Sequence, residues 1–250
     1  MVCSLSLCDQ STVNLNKKIL HFANDIMIEK VAKNSAQANV FFGRDRTCGV
    51  KVVCKQYPLQ KIRGIFREIK VLTHLEQSKS SQVGNGLPEI IWQNSQHDGL
   101  PQLLSYKLKQ EGGEILMADA GVSIDRMKKD LCKKDKMLFV FEMLRQLVPA
   151  LQKVHDLGFS HGDIKHENIC VRIDSRGKLK FTLIDFGVAS ALPVLGQSTK
   201  KKRFRGNLNF ASPDHIIKKR ASRIDDLYSL VCVAYRFVVG MLPWEEHLKQ

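Results

Sequence analysis

The stretch SHGDIKHENICVRIDSRGKLKFTLIDFG, residues 160–187, concentrates charged and amide side chains between apolar runs. Asp163 and Asn168 lie five positions apart, and Asp185 follows Asn168 by 17 positions. Between them, ICVRID and KFTLID have the composition of two short strands joined by the turn sequence SRGK. Because a hairpin of this length folds back on itself, we expect Asp185 to lie near Asn168.

These side chains suit one kind of chemistry. A carboxylate and an amide oxygen that face a common point, here Asp185 and Asn168, form a hard-oxygen site of the kind that binds Mg²⁺. Asp163 is then left to orient a hydroxyl nucleophile, and Lys165 can neutralise charge on a phosphoryl group. Because phosphoryl transfer depends mainly on positioning and charge neutralisation, the pattern predicts that reaction.

The rest of the chain has strand patterns first and helical patterns later. Alternating or β-branched runs predict strands over 26–31, 39–42, 49–55, 103–109 and 114–117. Apolar stripes predict helices over 62–75, 138–157 and from about 225. The first stripe includes Phe66, and the second places on one face Phe141, Leu144, Leu147, Val148 and Leu151. Loops are expected over 76–88, 94–101 and 195–207. We therefore expect an α+β fold with two lobes, strand-rich to about residue 117 and mainly helical afterwards.

Composition limits the class of protein. The chain has 250 residues, 44% of them apolar, and a formal net charge of +14, which predicts either acidic partners or a generally basic surface. Seven cysteines without a C-x-x-C pair favour a reducing compartment over disulfides or a zinc site. The N-terminus MVCSLSLCDQ lacks the basic region of a signal peptide. The longest apolar run, residues 227–244, is interrupted by Arg236, so we expect a buried helix and not a membrane span. Together with the cysteine pattern, this predicts an intracellular protein.

The motifs resemble those of the eukaryotic protein kinase family. HGDIKHEN (161–168) is similar to the catalytic loop, DFG (185–187) to the metal-binding motif, and VVCK (52–55) to the strand that ends in the ATP-positioning lysine. The motifs follow the family's order over about residues 26–247. The resemblance implies a kinase fold, ATP and Mg²⁺ as cofactors, and transfer of the γ-phosphate to Ser or Thr hydroxyls of protein substrates, with Lys165 favouring Ser/Thr over Tyr.

The resemblance also implies roles for single residues. Asp163 would orient the substrate hydroxyl, Lys165 would stabilise the transferred phosphoryl group, and Asn168 and Asp185 would bind Mg²⁺. Lys55, held by Glu68, would position the α and β phosphates. The residues expected around adenine are Val40 and Val53 on the ring, Met117 as the gatekeeper, and Ala118 to Ala120 as the hinge.

Other positions of the motifs are expected to be structural. His161 would bridge to Phe186, and Asp226 would hold the backbone of the catalytic loop. His166 and Glu167 are expected to be a solvated loop residue and a local hydrogen-bonding residue.

Within the family, the resemblance is to the casein kinase 1 and vaccinia-related kinase group. It rests on GNLNFASPDH (206–215), SRIDDLYSL (222–230) and LPW (242–244). Gly162 stands where most kinases have an arginine that binds an activating phosphate, which implies activity without activation-loop phosphorylation. The basic run from Lys200 to Arg205 indicates either a solvated loop or a preference for acidic or pre-phosphorylated substrates. No nucleic acid or membrane partner is expected, and the oligomeric state stays open.

Two features depart from the family. The stretch VAKNSAQANV (31–40) has no glycine where a phosphate-covering loop is expected, although Ser35, Ala36 and Ala38 are small. The chain also stops at Gln250, where a kinase C-lobe normally continues. We therefore expect Asp214, which stands where the family has a glutamate that pairs with a later arginine, to have no partner, and the apolar face of the helix over 226–239 to be exposed.

The expected organisation is an N-terminal extension over 1–25 and a kinase domain over 26–250. Its N-lobe would span about 26–117, its hinge about 118–121, and a partial C-lobe about 122–250. The departures leave a second function open, a catalytically weak or inactive pseudokinase that acts as a binding scaffold. A small-molecule kinase of the aminoglycoside phosphotransferase type also uses HGD, but that type lacks a lysine at the position of Lys165 and a segment like GNLNFASPDH.

Overall fold

The computed structural model describes residues 26–31, 38–46, 49–80, 98–127, 132–192 and 203–247. Several predictions lie outside the described residues: the extension over 1–25, Ser35 and Ala36 of the glycine-free stretch, residues 81–88 of the first predicted loop, and Lys200 to Lys202. The chain divides into two compact units, residues 1–65 with 103–119, and residues 66–102 with 120–250.

The first unit is built on an antiparallel sheet of five strands in the order β1-β2-β3-β5-β4. The strands are β1 (Ile26–Val31), β2 (Asn39–Asp45), β3 (Lys51–Pro58), β4 (Leu103–Lys109) and β5 (Gly112–Ala118). Successive side chains of a strand point to opposite faces, so the β-branched and aromatic residues of β2 and β3 cover both faces of the sheet. One face carries a buried cluster made of Ile26, Phe41, Val52, Cys54 and Leu116.

The second unit is mainly helical. Its long helices are α2 (Lys133–Asp156) and α4 (Arg223–Val239), with the short α3 (Pro213–Lys218) before α4. Helix α1 (Ile62–Ser80) falls partly in the range of each unit. The short strands form two sheets, β6 (Val122–Ser123) with the hairpin β8 (Ile169–Ile173) and β9 (Leu179–Leu183), and β7 (Phe159–Ser160) with β10 (Ser190–Ala191). The main core packs α2 against α4 and the hairpin. The predicted α+β class is confirmed.

The predicted buried faces of two helices were partly wrong. Leu147 and Leu151 of α2 are buried as predicted, but Phe141 is 68% exposed and Val148 is also exposed. The inward face of α2 instead follows Val140, Met143, Leu147, Leu151 and Val154. Neighbouring positions of a helix differ by about 100° in direction, so a residue next to the inward face points away from it.

The same displacement affects α1. Its inward face carries Ile65, Ile69, Leu72 and Leu75, and Phe66 is 52% exposed. The boundaries also moved. Helix α2 begins at Lys133, because the Cys132 side chain accepts a hydrogen bond from the Asp135 amide and caps the first turn, and α1 extends to Ser80 into the predicted loop.

Two expectations about the end of the chain had different outcomes. The apolar face of α4 is exposed as predicted, at Ile224, Leu227, Val231, Tyr235 and Val239. The expectation that Asp214 lacks a partner was wrong, because the Lys218 ammonium one helical turn later forms an ion pair with it.

Among the described helices, none combines the length and the apolar character that crossing a bilayer requires.

Candidate active site

A buried carboxylate holds the backbone of the catalytic loop. Asp226, in the first turn of α4, is 1% exposed. Its Oδ2 accepts hydrogen bonds from the backbone N–H of His161 (2.8 Å) and from His155 Nε2 (2.9 Å), and its Oδ1 accepts from the backbone N–H of Gly162 (2.8 Å). The loop therefore begins in a conformation set by α4, as the sequence predicted for Asp226. His155, at the end of α2, was not predicted. The signal in the sequence is its position four residues after Leu151, on the buried side of the helix.

The ring of His161 connects the loop to the DFG motif. The ring is buried, and its Nδ1 accepts the backbone N–H of Asp163 at 3.2 Å. Nε2 then carries the hydrogen and donates to the carbonyl oxygen of Ile184 at 3.1 Å. The ring also contacts Phe186, with 4.8 Å between ring centroids. The predicted structural role of His161 is thus observed.

The carboxylate of Asp163 is held on one side and open on the other. Oδ2 accepts hydrogen bonds from Lys165 Nζ (2.8 Å) and from Asn168 Nδ2 (3.1 Å), and the same amide nitrogen donates to the Asp163 carbonyl oxygen (2.8 Å). Oδ1 is buried and has no hydrogen-bond partner among the described residues. Since a buried acceptor is costly to leave unpaired, this oxygen is suited to a donor that arrives with a substrate, such as a hydroxyl group.

The hairpin brings Asp185 to the end of the loop where Asn168 lies. Strands β8 and β9 pair Ile169 with Leu183, and the Ile184 N–H donates to the Asn168 carbonyl at 2.8 Å. Asp185 comes next in the chain with φ of 71°, a left-handed conformation that is uncommon for a residue with a side chain and often marks a functional site.

The donor set fits Mg²⁺. The Asn168 amide nitrogen is directed at Asp163, so the amide oxygen is the atom of this side chain that would serve as a ligand, and the Asp185 carboxylate would supply another. No group of three or more His, Cys, Asp or Glu side chains converges as a metal cage in the described part of the chain. One carboxylate and one amide oxygen suit an ion that keeps water and takes further ligands from phosphate groups.

Arg67 of α1 also contacts the DFG motif. Its Nε donates to the Gly187 carbonyl oxygen at 2.7 Å. Phe186, the middle residue of the motif, is fully buried. Arg67 was not predicted, because its only signal in the sequence is its position before Glu68. Glu68 is itself 0% exposed. The predicted pairing of Glu68 with Lys55 stays a prediction, because the two residues belong to different units.

His166 was expected to be a solvated loop residue, and this was wrong. It is 1% exposed, with its ring centroid 5.3 Å from that of Phe210 and 6.4 Å from that of Phe237. The 3-10 turn His166–Asn168 carries the ring towards these aromatic residues, and Ser123 Oγ fixes the turn by donating to the His166 carbonyl at 3.1 Å.

The strand residues predicted around the nucleotide share one face of the first unit's sheet. Val40 is paired with Lys55, and Val53 with Met117. Directly opposed residues, and residues two apart on a strand, lie on the same face, so all four side chains share it. This is the face opposite the cluster of Phe41, Val52, Cys54 and Leu116 described above.

The expected hinge residues are placed differently. Ala118 is paired with Val52 and therefore lies on the cluster's face at the end of β5. Ala120 is half-buried and falls in the range of the second unit. A nucleotide role for these alanines would rest on their backbone groups.

The segment over 206–215 is tied to α4 and to the LPW turn. Trp244 Nε1 donates to the Asn209 carbonyl at 2.9 Å, and Ser229 Oγ donates to the Phe210 carbonyl at 2.7 Å. Ser212 Oγ donates to Asp225, which also closes a capping box with Ser222 at the start of α4. Burial opposes ionisation of Asp225, but the hydrogen bonds from Ser212 and Ser222 outweigh it and keep the pKa of this carboxyl below its usual value.

His215 lies at the same place, capped by Ser212 through its backbone N–H at 3.0 Å. Burial lowers the pKa of its ring below the usual value, although the carboxylates of Asp225, Asp226 and Asp163 act in the opposite direction. Burial of the ring therefore favours its neutral form.

The comparison with known families agrees with this geometry. Residues 89–250 match the sequence model of the protein kinase domain. This span is more than half of the chain, so the chain belongs to the protein kinase domain family. The predicted protein kinase fold, with a strand-rich unit and a mainly helical unit, is confirmed.

Several protein kinases are similar in sequence. The serine/threonine-protein kinase RAD53 of Saccharomyces cerevisiae is 25% identical over 240 residues, which cover 89% of this chain and 26% of that protein. A probable serine/threonine-protein kinase of Dictyostelium discoideum is 34% identical over 105 residues, 40% of this chain and 21% of that protein. Human 3-phosphoinositide-dependent protein kinase 1 is 31% identical over 99 residues, 40% of this chain and 17% of that protein. The chain thus spans at most 26% of the length of these three relatives.

Proposed function

We propose that this chain is an ATP- and Mg²⁺-dependent protein kinase that phosphorylates Ser and Thr hydroxyls of protein substrates. One observation carries the proposal: Asp163 has one carboxylate oxygen held by Lys165 and Asn168, and a second, buried oxygen with no partner among the described residues. A substrate hydroxyl that donates to Oδ1 would satisfy this acceptor and be oriented for attack.

The neighbouring groups have complementary roles. Asp163 accepts the hydroxyl proton, and Lys165, 2.8 Å from its other oxygen, stabilises charge on the transferred phosphoryl group. Asn168 and Asp185 hold Mg²⁺, which neutralises the phosphate oxygens when bound. Lys55, paired with Glu68, positions the α and β phosphates, and Val40, Val53 and Met117 contact adenine.

The finer assignment follows the motifs. The casein kinase 1-like subtype is supported by GNLNFASPDH, SRIDDLYSL and LPW, whose residues contact one another through Asn209, Phe210 and Trp244. Acidic or pre-phosphorylated protein substrates are supported by the net charge of +14. An intracellular location, cytoplasmic or nuclear, is supported by seven cysteines without a C-x-x-C pair, a pattern that favours a reducing compartment.

A transfer assay on the intact chain tests the proposal. The chain is incubated with Mg²⁺, labelled ATP and casein, beside Asp163→Asn and Asp185→Asn. Each substitution is expected to reduce transfer by roughly 10²-fold or more, because each removes a group needed at the reacting atoms. Asp174→Asn is the matched control, since Asp174 lies in the turn of the β8–β9 hairpin and pairs with Lys180 instead. Its activity is expected to equal that of the unaltered chain.

The same assay decides between the proposal and its alternative. Thermal stabilisation by Mg²⁺ and ATP without any transfer, unchanged by Asp163→Asn, would identify a pseudokinase scaffold. The observation behind this alternative is the absence of glycine between Val31 and Val40. Transfer that survives in Asp185→Asn would refute the metal role of that residue, and transfer lost in Lys55→Met with ATP stabilisation retained would support the phosphate-positioning role of Lys55.

A further inference from the structure

The buried ring of His166 connects the catalytic loop to two later elements of the second unit. It meets the Phe210 ring edge-on, with 5.3 Å between centroids and 65° between the planes. It lies nearly parallel to the Phe237 ring of α4, at 20°. Aromatic pairs with centroids within about 7 Å stabilise by more than their buried area alone. The ring therefore ties the catalytic loop to the segment over 206–215 and to α4.

The turn that carries this ring lies between the two donors that hold Asp163. Lys165 is the N-cap of the 3-10 turn, and Asn168 is its last residue. Lys165 Nζ and Asn168 Nδ2 both donate to Asp163 Oδ2, at 2.8 Å and 3.1 Å. The Asn168 N–H also donates to the Lys165 carbonyl at 3.0 Å, which closes the turn. A rotation of the turn would therefore displace both donors together, and with them the Asp163 carboxylate.

The backbone of the turn is attached at two points, and the ring adds a third. Ser123 Oγ donates to the His166 carbonyl at 3.1 Å, and the Ile184 N–H donates to the Asn168 carbonyl at 2.8 Å. Two points of attachment leave rotation about the line that joins them, whereas a third point away from that line removes it. The His166 ring supplies this third point on the side of Phe210.

Phe210 is itself fixed by α4 and by the turn that follows α4. Ser229 Oγ donates to the Phe210 carbonyl at 2.7 Å, and the Arg236 guanidinium lies over the Phe210 ring, 5.9 Å from its centroid. Arg236 Nε donates to Glu245 at 2.5 Å, and the other oxygen of Glu245 accepts the Leu242 N–H at 3.1 Å. The ring that His166 contacts is thus held from two elements, so it can act as a fixed support.

We propose that His166 is a positioning residue. Through its contact with Phe210, the segment over 206–215 sets the orientation of the turn that carries Lys165 and Asn168, and so the orientation of the Asp163 carboxylate. A misplacement of about 1 Å at a reacting group can cost about 10²-fold in rate, so a contact remote from the substrate can control turnover. The catalytic part of this role rests on the proposed kinase activity, but the effect on the loop does not.

The first measurement needs no activity. Amide hydrogen exchange of the intact chain is followed by mass spectrometry in peptides that cover residues 161–169. His166→Ala and Phe210→Leu should each speed exchange in this stretch by at least about tenfold, because the turn opens more often once its third attachment is lost.

A matched control separates this effect from general destabilisation. Leu147 of α2 is equally buried but lies beside Gly99. Leu147→Ala should lower the melting temperature at least as much as His166→Ala, while exchange over 161–169 changes by less than about threefold.

The second measurement separates positioning from nucleotide binding. In the transfer assay, His166→Ala and Phe210→Leu should each lower kcat by between about 10- and 10²-fold, with the KM for ATP changed by less than about threefold. His166→Phe keeps a ring at this position and should retain kcat within about threefold, as should Leu147→Ala. In the double variant the losses in kcat should not add, because each single substitution already removes the same contact.

Several results would overturn the proposal: losses that add in the double variant, an unchanged kcat in His166→Ala, or exchange over 161–169 that matches that of Leu147→Ala. If the unaltered chain transfers no phosphate, the proposed function fails. The exchange measurement then decides alone whether the contact between His166 and Phe210 positions the loop.

Discussion

The buried carboxylate of Asp226 offers the most direct test of how the catalytic loop is held. The substitution Asp226→Ala leaves three donors without an acceptor: the backbone N–H groups of His161 and Gly162, and Nε2 of His155. Each buried donor left unsatisfied costs about 1–3 kcal/mol. Partial relaxation and water entry reduce the sum, so we expect a loss of about 3–5 kcal/mol in the free energy of unfolding.

The measurement is urea unfolding followed by circular dichroism, with the slope of the transition compared between variants. Asp226→Asn keeps one acceptor oxygen but turns an amide towards a donor, so its loss should be smaller and still measurable if the alanine variant does not fold. Asp214→Ala is the control, because that aspartate is exposed and pairs only with Lys218 among the described ion pairs. A loss below about 1 kcal/mol for Asp226→Ala would refute the reasoning, since three unsatisfied buried donors cannot cost so little.

Three further predictions follow from burial. The pKa of the His215 ring is lower in the folded chain than its usual value of 6.5, so the unfolded chain binds more protons below that pH. The stability of the folded chain should therefore fall as the pH drops below about 6.5. In thermal melts at pH 7.5 and 5.5, His215→Gln should reduce the difference between the two pH values. His166→Ala should lower the free energy of unfolding by roughly 2 kcal/mol through lost aromatic packing, measured in urea, whereas Glu167→Ala, at an exposed position, should have little effect. Burial and the nearby Glu114 raise the pKa of the Cys54 thiol to about 12, so iodoacetamide at pH 8 should label exposed Cys132 well before Cys54, as followed by peptide mass spectrometry.

The parts of the site that sequence predicted are those determined by short stretches of chain. The hairpin between Asn168 and Asp185 is local, because two strand-forming runs and a turn suffice to bring its ends together. Val40, Val53, Lys55 and Met117 were expected at the nucleotide from the family resemblance alone, and it is the pairing of β2 with β3 and of β3 with β5 that places them on one face.

The errors arise where the outcome depends on residues distant in sequence. Phe66 and Phe141 both fit the helical spacing of an apolar stripe. Which side of each helix is buried depends on the position of the elements that pack against it, and both side chains are exposed. His166 is polar, yet the aromatic residues that surround it come from positions 210 and 237, which no local pattern connects to it. The Asp226 interaction was predictable only because the family resemblance identified its position.

Gly162 shows why one motif position is a weak guide to regulation. Its lack of a side chain suggested that this part of the catalytic loop has lost its cationic phosphate-binding group. The space above Gly162 is nevertheless lined by Arg205, Lys219 and Arg220, and the close contact of Gly206 with the Gly162 carbonyl is what brings the first of them there. Positive charge at a site depends on which segments converge, because an arginine 40 or more positions away in sequence exerts the same field as one in the motif. The glycine at position 162 therefore does not leave its surroundings without positive charge, because Arg205, Lys219 and Arg220 reach them from other segments.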